Sequence, residues 1–73
     1  MSKYTLVGVN GNAYAIMAYT STALRREGLG NLNDEMMEKA TSGDYDHLIA
    51  VCDEYVQMAN KKAVENGYEE DDE

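Results

Sequence analysis

The sequence predicts a small, mostly helical α+β domain in which one N-terminal strand is followed by three helices (βααα). Along Lys3 to Val9, alternate side chains would point to opposite faces, and Thr5, Val7 and Val9 are β-branched. Both features are typical of a strand. Three later segments carry apolar residues at helical spacing. A lone strand leaves unpaired N–H and C=O groups on both edges. We therefore expect this strand to pair with the same strand of a second copy in a homo-oligomer.

The length of the chain supports the same expectation. Seventy-three residues form one domain, assigned to 1–67, and a chain this short buries only about 60% of its unfolded surface. Small domains are often reinforced by disulfides, metals or oligomerisation. Cys52 is the only cysteine and His47 the only histidine, so we expect no internal disulfide, metal or other cofactor. No disulfide framework, membrane span or secretion signal is recognised, which predicts a cytoplasmic protein.

The predicted strand ends at Asn10-Gly11, because both residues suit a sharp turn. Asn12 then caps a helix from Ala13 to about Glu27, since its side-chain oxygen can accept a hydrogen bond from the first turn. An apolar stripe runs along one face of this helix. Gly28 follows as the residue that ends it.

Two further helices complete the prediction. The first is short, from about Asp34 to Ala40, and either Asn31 or Asn33 is placed to cap it. The second runs from Tyr45 to about Asn66, with Ser42 or Asp44 placed to cap it. It carries apolar residues at steps of three and four. Gly67 ends it.

The charge of the chain is strongly acidic. The net charge is −8, and the last five residues, Glu69 to Glu73, are all acids. Such a run repels itself, so residues 68–73 are predicted to form a disordered tail. Direct binding of nucleic acid is not expected, because phosphate contacts need clustered Lys and Arg.

The turn before the first helix is one candidate binding element. A strand-to-helix junction aims free N–H groups at one point, where the helix dipole favours an anion. Asn10, Gly11 and Asn12 form this junction. The alternative is a tight turn with an N-cap and no ligand. The junction matches neither a P-loop nor a dinucleotide fingerprint.

The segment Ser42 to His47 is the densest polar cluster, and Arg25-Arg26 is the arginine pair that could meet an anion. The cluster is either a recognition loop in which Tyr45 stacks on a ligand, or a helix cap with solvated acids. No nucleophile, base and orienting group occur together, so no catalytic residue is assigned and an enzyme is not expected. The predicted ligand-binding residues are Asn10, Gly11, Asn12, Arg25, Arg26, Ser42, Asp44, Tyr45 and His47.

Three segments together resemble a family of small phage and prophage proteins. VGVNGNAYAIM at 7–17 is similar to the family's DGNAF-like turn, ALRREG at 23–28 to an ALRRAG-like stretch, and ATSGDYDHLIAV at 40–51 to an EATSGDYDHL-like segment. The resemblance covers roughly 4–56. Asn10 replaces the family's usual Asp, and the acidic tail is not part of the pattern. The resemblance implies phage origin and a cytoplasmic setting, and it carries over no activity.

These observations favour a small phage-encoded binding protein that acts by counter-defence. In the favoured hypothesis it sequesters an anionic, nucleotide-like signalling molecule between protomers, in a pocket made by the two polar loops and the arginines. In the alternative it is a stoichiometric inhibitor that covers a host enzyme or defence complex with its acidic surface and tail. A structural or regulatory phage factor remains a third possibility.

Overall fold

The computed structural model describes residues 1–69, which fold into three helices. These are α1 (Ala13–Arg26), α2 (Asn33–Ala40) and α3 (Tyr45–Glu65), with a single 3-10 turn at Gly30–Leu32 before α2. α3 packs against both other helices. None of the helices in this part of the chain combines the length and the apolar character that a membrane span requires.

The core lies where the helical stripes were predicted. Tyr55 and Val56 of α3, Leu24 of α1 and Met36 of α2 are fully buried against one another. Burying side chains of this size stabilises the fold by about 1.5–3 kcal/mol each. Thr20 lies among them, and its hydroxyl donates to the carbonyl of Ile16 at 2.9 Å, so that no polar group is left unpaired there.

Two buried tyrosines donate their hydroxyls to carboxylates. Tyr55 Oη lies 2.6 Å from Glu35 Oε2, and Tyr4 Oη lies 2.5 Å from Glu27 Oε2. Burial and the neighbouring carboxylate raise the pKa of both tyrosines above the ordinary value. Both rings therefore bury apolar surface while their polar ends stay hydrogen-bonded.

The predicted strand at Lys3–Val9 is wrong, because residues 1–69 contain no strand. The backbone of Tyr4 is instead paired with one side chain. Tyr4 N donates to Asn60 Oδ1 at 2.7 Å, and Asn60 Nδ2 donates to Tyr4 O at 2.8 Å. Beyond this point a turn closes from Leu6 O to Val9 N at 3.1 Å. Gly8 permits the turn, since its φ of +85° is one that other residues rarely adopt.

The carboxamide of Asn60 thus replaces the neighbouring strand that the N-terminal segment was expected to need. It offers one acceptor and one donor, as a peptide group does, and it satisfies both backbone groups of Tyr4. The expectation that this segment pairs with a second copy is therefore corrected. Self-association stays a prediction, now without that reason.

The helix starts agree with the predicted caps in two cases of three. Asn12 accepts from the amide of Tyr14 at α1, and Asp44 accepts from the amide of His47 at α3. At α2 the cap position holds Leu32, with no side-chain hydrogen bond, so neither predicted asparagine serves there. The preceding 3-10 turn leads into α2 without a separate capping residue.

The C-terminal ends of α1 and α3 are built alike. At α1, Leu29 N donates to Leu24 O at 2.8 Å, and at α3, Tyr68 N donates to Ala63 O at 2.9 Å. Each is the six-to-one hydrogen bond of a Schellman motif, with Gly28 and Gly67 at the C′ position. The residues preceding these glycines, Glu27 and Asn66, are brought together. The starts of the two helices also meet, because the turn before α1 contacts Tyr45 at the start of α3. α1 and α3 therefore run parallel.

The domain was predicted to cover 1–67 and the tail to begin at Tyr68. The Tyr68 ring packs against the core, and its hydroxyl donates to Met1 O at 3.2 Å. Glu69 is exposed. The rest of the predicted tail, 70–73, lies outside the described residues.

Candidate functional site

The turn before α1 lies beside the start of α3. Asn10 Oδ1 accepts from Asn12 N at 2.9 Å, and Asn12 Oδ1 accepts from Tyr14 N at 2.8 Å. The hydroxyl of Tyr45 donates to Gly11 O. The side chains predicted to hold a ligand here are therefore engaged with the backbone of the turn and of the first helical turn.

The Ser42–His47 segment is engaged in the same way. Ser42 Oγ donates to Lys39 O at 2.7 Å, and His47 Nε2 lies 2.8 Å from the same carbonyl. A carbonyl only accepts, so Nε2 carries the proton in this contact. Asp44 Oδ1 accepts from His47 N at 2.9 Å. These groups close the end of α2 and begin α3.

Arg25 and Arg26 lie at the other end of α1. The helix has fourteen residues, which places the arginines about 20 Å from Asn12 at 1.5 Å per residue. Arg25 Nη1 donates to Ser21 Oγ at 2.7 Å. Within one chain, the structure thus brings Asn10–Asn12 together with Asp44 and Tyr45 but keeps both arginines away from them.

A partly buried polar cluster, which was not predicted, holds the N-terminal segment against the ends of α1 and α3. We call it the N-terminal latch, and its members are Lys3, Tyr4, Glu27, Asn60 and Asn66. Glu27 is its centre and is only 4% exposed. Its carboxylate lies 2.8 Å from Lys3 Nζ, and it accepts from Asn66 Nδ2 at 3.1 Å in addition to Tyr4 Oη.

The hydrogen bonds to Glu27 set its titration. The contact with Lys3, followed by that with Tyr4, lowers the pKa of Glu27 from its ordinary 4.5 to about 2. Burial acts in the opposite direction but is outweighed. Glu27 is therefore a carboxylate throughout the physiological range, and it stays charged because three donors converge on it.

A groove lies between the latch and the outer side of α1. Its volume is about 420 Å³, and Tyr4 and Tyr19 stand in its wall with their rings 6.4 Å apart, edge to face. Tyr19 Oη accepts from Thr5 N at 3.0 Å, which holds the N-terminal segment beside the helix. We call this the Arg26 groove. Its lining residues are Lys3, Tyr4, Ala18, Tyr19, Thr22, Ala23 and Arg26.

Arg26 is the cation of this groove that is available to a ligand. It is exposed, and it forms no salt bridge within residues 1–69. Lys3 is shared with Glu27 but has two further N–H donors. Of the predicted site residues only Arg26 lines the groove. Lys3 and Tyr4 had been assigned to the predicted strand. The only sequence signal for Glu27 was its position directly before Gly28, which marks an acid at the end of the helix.

The sulfur and imidazole groups offer little for chemistry. Cys52 is buried, and burial raises the pKa of its thiol, so the reactive thiolate is disfavoured. The His47 ring is hydrogen-bonded to the end of α2. Among residues 1–69, no group of three or more His, Cys, Asp or Glu side chains is arranged to hold a metal ion.

Neither a family model, nor a curated protein, nor a solved structure matches this chain. No relative therefore supplies a partner, a ligand or an activity.

Proposed function

We propose that this chain is a non-catalytic binding protein that sequesters a small anionic, nucleotide-like molecule in the Arg26 groove. One observation carries the proposal. A chain of net charge −8 with only six Lys and Arg residues places Lys3 and Arg26 at one concavity, beside two tyrosines. A cationic and aromatic groove in so acidic a protein suits an anion that also has a flat apolar part.

The chemistry of the lining fits such a molecule. A volume of about 420 Å³ lies within the range of small-molecule sites, roughly 300–1,000 Å³. The Arg26 guanidinium can hold a phosphate with two parallel hydrogen bonds. The hydroxyl of Thr22 adds a donor, and the Tyr19 ring offers a face on which a base can stack.

The local charge supports this placement. Lys3, Arg25 and Arg26 lie near the end of α1, and Glu27 is the acid among them, already neutralised by Lys3. A charge-assisted hydrogen bond contributes about 1.5–3 kcal/mol, so Arg26 alone is worth roughly tenfold or more in affinity. The acidic remainder of the chain opposes binding at long range, and salt modulates both effects.

The setting proposed is counter-defence in the host cytoplasm, as the resemblance to phage and prophage proteins implies. A binder without a catalytic step removes a signalling molecule stoichiometrically. The groove is built within one chain, so sequestration here requires no second copy. Asn10–Asn12 and the Ser42–His47 segment serve as caps and turns in this proposal and do not contact the ligand.

The test is a calorimetric titration of linear and cyclic nucleotides into the wild-type chain and two variants. Arg26→Gln removes the groove cation, whereas Arg25→Gln removes an identical charge one residue away, where the guanidinium bonds to Ser21. We expect Arg26→Gln to weaken binding roughly tenfold or more and Arg25→Gln to change it much less. Equal losses in both variants, or no heat with any nucleotide, would contradict the proposal.

A further inference from the structure

A second surface lies around Tyr14, at the other end of α1. Two adjoining depressions, of about 180 and 370 Å³, both include Tyr14 and Met17 in their linings. The smaller extends towards Asn33 and Met37 of α2, and the larger towards Tyr45 at the start of α3. We call this surface the Tyr14 face. None of its lining residues lines the Arg26 groove except Ala18.

Large apolar and aromatic side chains are exposed on this face. Tyr14 is 80% exposed, Tyr45 48% and Met37 36%. Single exposed apolar residues are ordinary, but adjoining ones around two depressions mark an interaction surface. Tyrosine and methionine are also enriched in the centres of protein interfaces, where a flexible or amphipathic side chain fits a partner.

The smaller depression contains an unsatisfied polar atom. Asn33 lines it, and Asn33 Oδ1 is buried without a hydrogen-bond donor among residues 1–69. Buried acceptors in native proteins are almost always paired. The Asn33 carboxamide is therefore a polar group beside this depression that lacks a donor.

The edge of the face is acidic. Asp44 lines the larger depression, and Asp46 follows Tyr45 in the first turn of α3. On α2, Asp34 and Glu38 are exposed, and each directly follows a lining residue in the sequence. One cation is close, Arg25, whose guanidinium bonds to the lining residue Ser21. Four carboxylates against one guanidinium leave the edge negative.

We propose that the Tyr14 face binds a basic amphipathic segment of another protein. Two of the segment's apolar side chains would fill the depressions, and its Lys or Arg residues would meet the carboxylates at the edge. Charge complementarity selects this occupant, because small anions and a second copy of a chain of net charge −8 are both repelled. The acids involved belong to the described helices, so the interaction does not need the acidic tail. It is also independent of the Arg26 groove.

The experiment selects displayed random peptides of four to five helical turns on the full wild-type chain. Counter-selection uses the double variant Tyr14→Ser/Met37→Ser, which removes two exposed side chains and should leave the fold intact. The enriched peptides should combine Lys or Arg with apolar residues three or four positions apart. Their synthetic forms should bind the wild type and lose roughly thirtyfold in affinity for the double variant, as expected for interface anchors.

Two controls isolate the face. Met58→Ser/Val64→Ser removes two side chains of similar exposure elsewhere on α3 and should leave peptide affinity unchanged. Asp34→Asn/Glu38→Gln should weaken binding and flatten its salt dependence, whereas Asp53→Asn/Glu54→Gln should do neither. Enrichment of neutral or acidic peptides, or no enrichment over the counter-selection, overturns the proposal. A wild-type dimer in sedimentation that the double variant abolishes would also overturn it, since the occupant would then be a second copy.

Discussion

The two ends of the parallel pair α1 and α3 are fixed by different kinds of polar contact. At the starting end, Asn12 and Asp44 each accept a hydrogen bond from an amide two or three residues further on. At the finishing end, the latch joins Tyr4 to Glu27 and Asn60, across 23 and 56 residues. The first end is exposed and consists of these caps and one longer contact, from the Tyr45 hydroxyl to Gly11 O, whereas the second buries a carboxylate. Of the two ends, the one with the more deeply buried polar contacts is therefore the one that the sequence pattern did not predict.

Replacing Glu27 by Ala should produce the largest difference between the two ends. It leaves Tyr4 Oη, Lys3 Nζ and the Asn66 amide without their shared acceptor. Water can rehydrate Lys3, which is 39% exposed, so the cost comes mainly from the hydrogen bonds to the buried carboxylate, about 3 kcal/mol in unfolding free energy. Denaturant unfolding measures it. Glu65→Ala is the matched control, because its pair with Lys62 is exposed and 3.9 Å long, and it should cost less than about 1 kcal/mol. Equal effects would mean that the latch is no stronger than a surface pair.

Replacing Asn60 by Ala should cost slightly less, about 2–3 kcal/mol, because the amide and carbonyl of Tyr4 lose their partner. The amide exchange of Tyr4 should become much faster as the N-terminal segment detaches. Hydrogen exchange measured by NMR reports this directly. Gln57→Ala is the control, since it removes the weaker contacts to the Asn60 amide at 3.3 Å and to Asp53 Oδ1 at 3.5 Å and leaves both bonds to Tyr4 in place. Unchanged protection of Tyr4 in Asn60→Ala would contradict the proposed role of this side chain.

Acid should weaken the latch without a substitution. The pKa of Glu27 is lowered from 4.5 to about 2 in the folded chain. Its charged form therefore contributes stability that is fully present above pH 4.5 and is lost as the pH falls towards 2. The difference in melting temperature between wild type and Glu27→Gln should shrink over this range. A constant difference from pH 6 to pH 2 would show that the carboxylate charge does not matter.

The caps at the starting end should give the smallest effects. Asn12→Ala and Asp44→Ala each remove one acceptor for an amide of the first turn. A lost N-cap costs about 1 kcal/mol, and water can replace part of it because both sites are exposed. Thermal melts measure this, with Asp46→Ala in the same turn as a control that should cost less than about 0.5 kcal/mol. Losses above about 2 kcal/mol would mean that the caps stabilise the fold as much as the latch does.

The sequence predicted the local features of this fold and not the distant ones. The three helices, two of three N-caps and the glycines after α1 and α3 follow from spacing and from contacts within four residues. The strand was wrong because Lys3–Val9 has strand-like composition, while the partner of Tyr4 is a side chain 56 residues away. No local pattern marks Asn60 for that role, since a polar residue on a helix is normally expected to face solvent.

The same reason explains the candidate sites. Each polar loop was recognised, but its groups are occupied by the turns and caps that they build, which was the alternative interpretation of both loops. The arginines were recognised, but within one chain they lie about 20 Å from Asn12, a distance that depends on which elements share an end. The Arg26 groove forms only because Lys3, which belongs to the segment predicted as a strand, lies near Tyr19 of α1.

The length of the loop closed by Tyr4 and Asn60 has a consequence for the order of folding. Local helix formation is fast, whereas a contact across 56 residues can form only after α3 is docked. During synthesis, Glu27 and Tyr4 emerge long before Asn60 and Asn66. The N-terminal segment therefore lacks its partners on α3 until the last helix has been made. Contacts that form after the transition state slow unfolding and leave the folding rate nearly unchanged. We therefore expect the latch to slow unfolding of the native chain and to change its folding rate little.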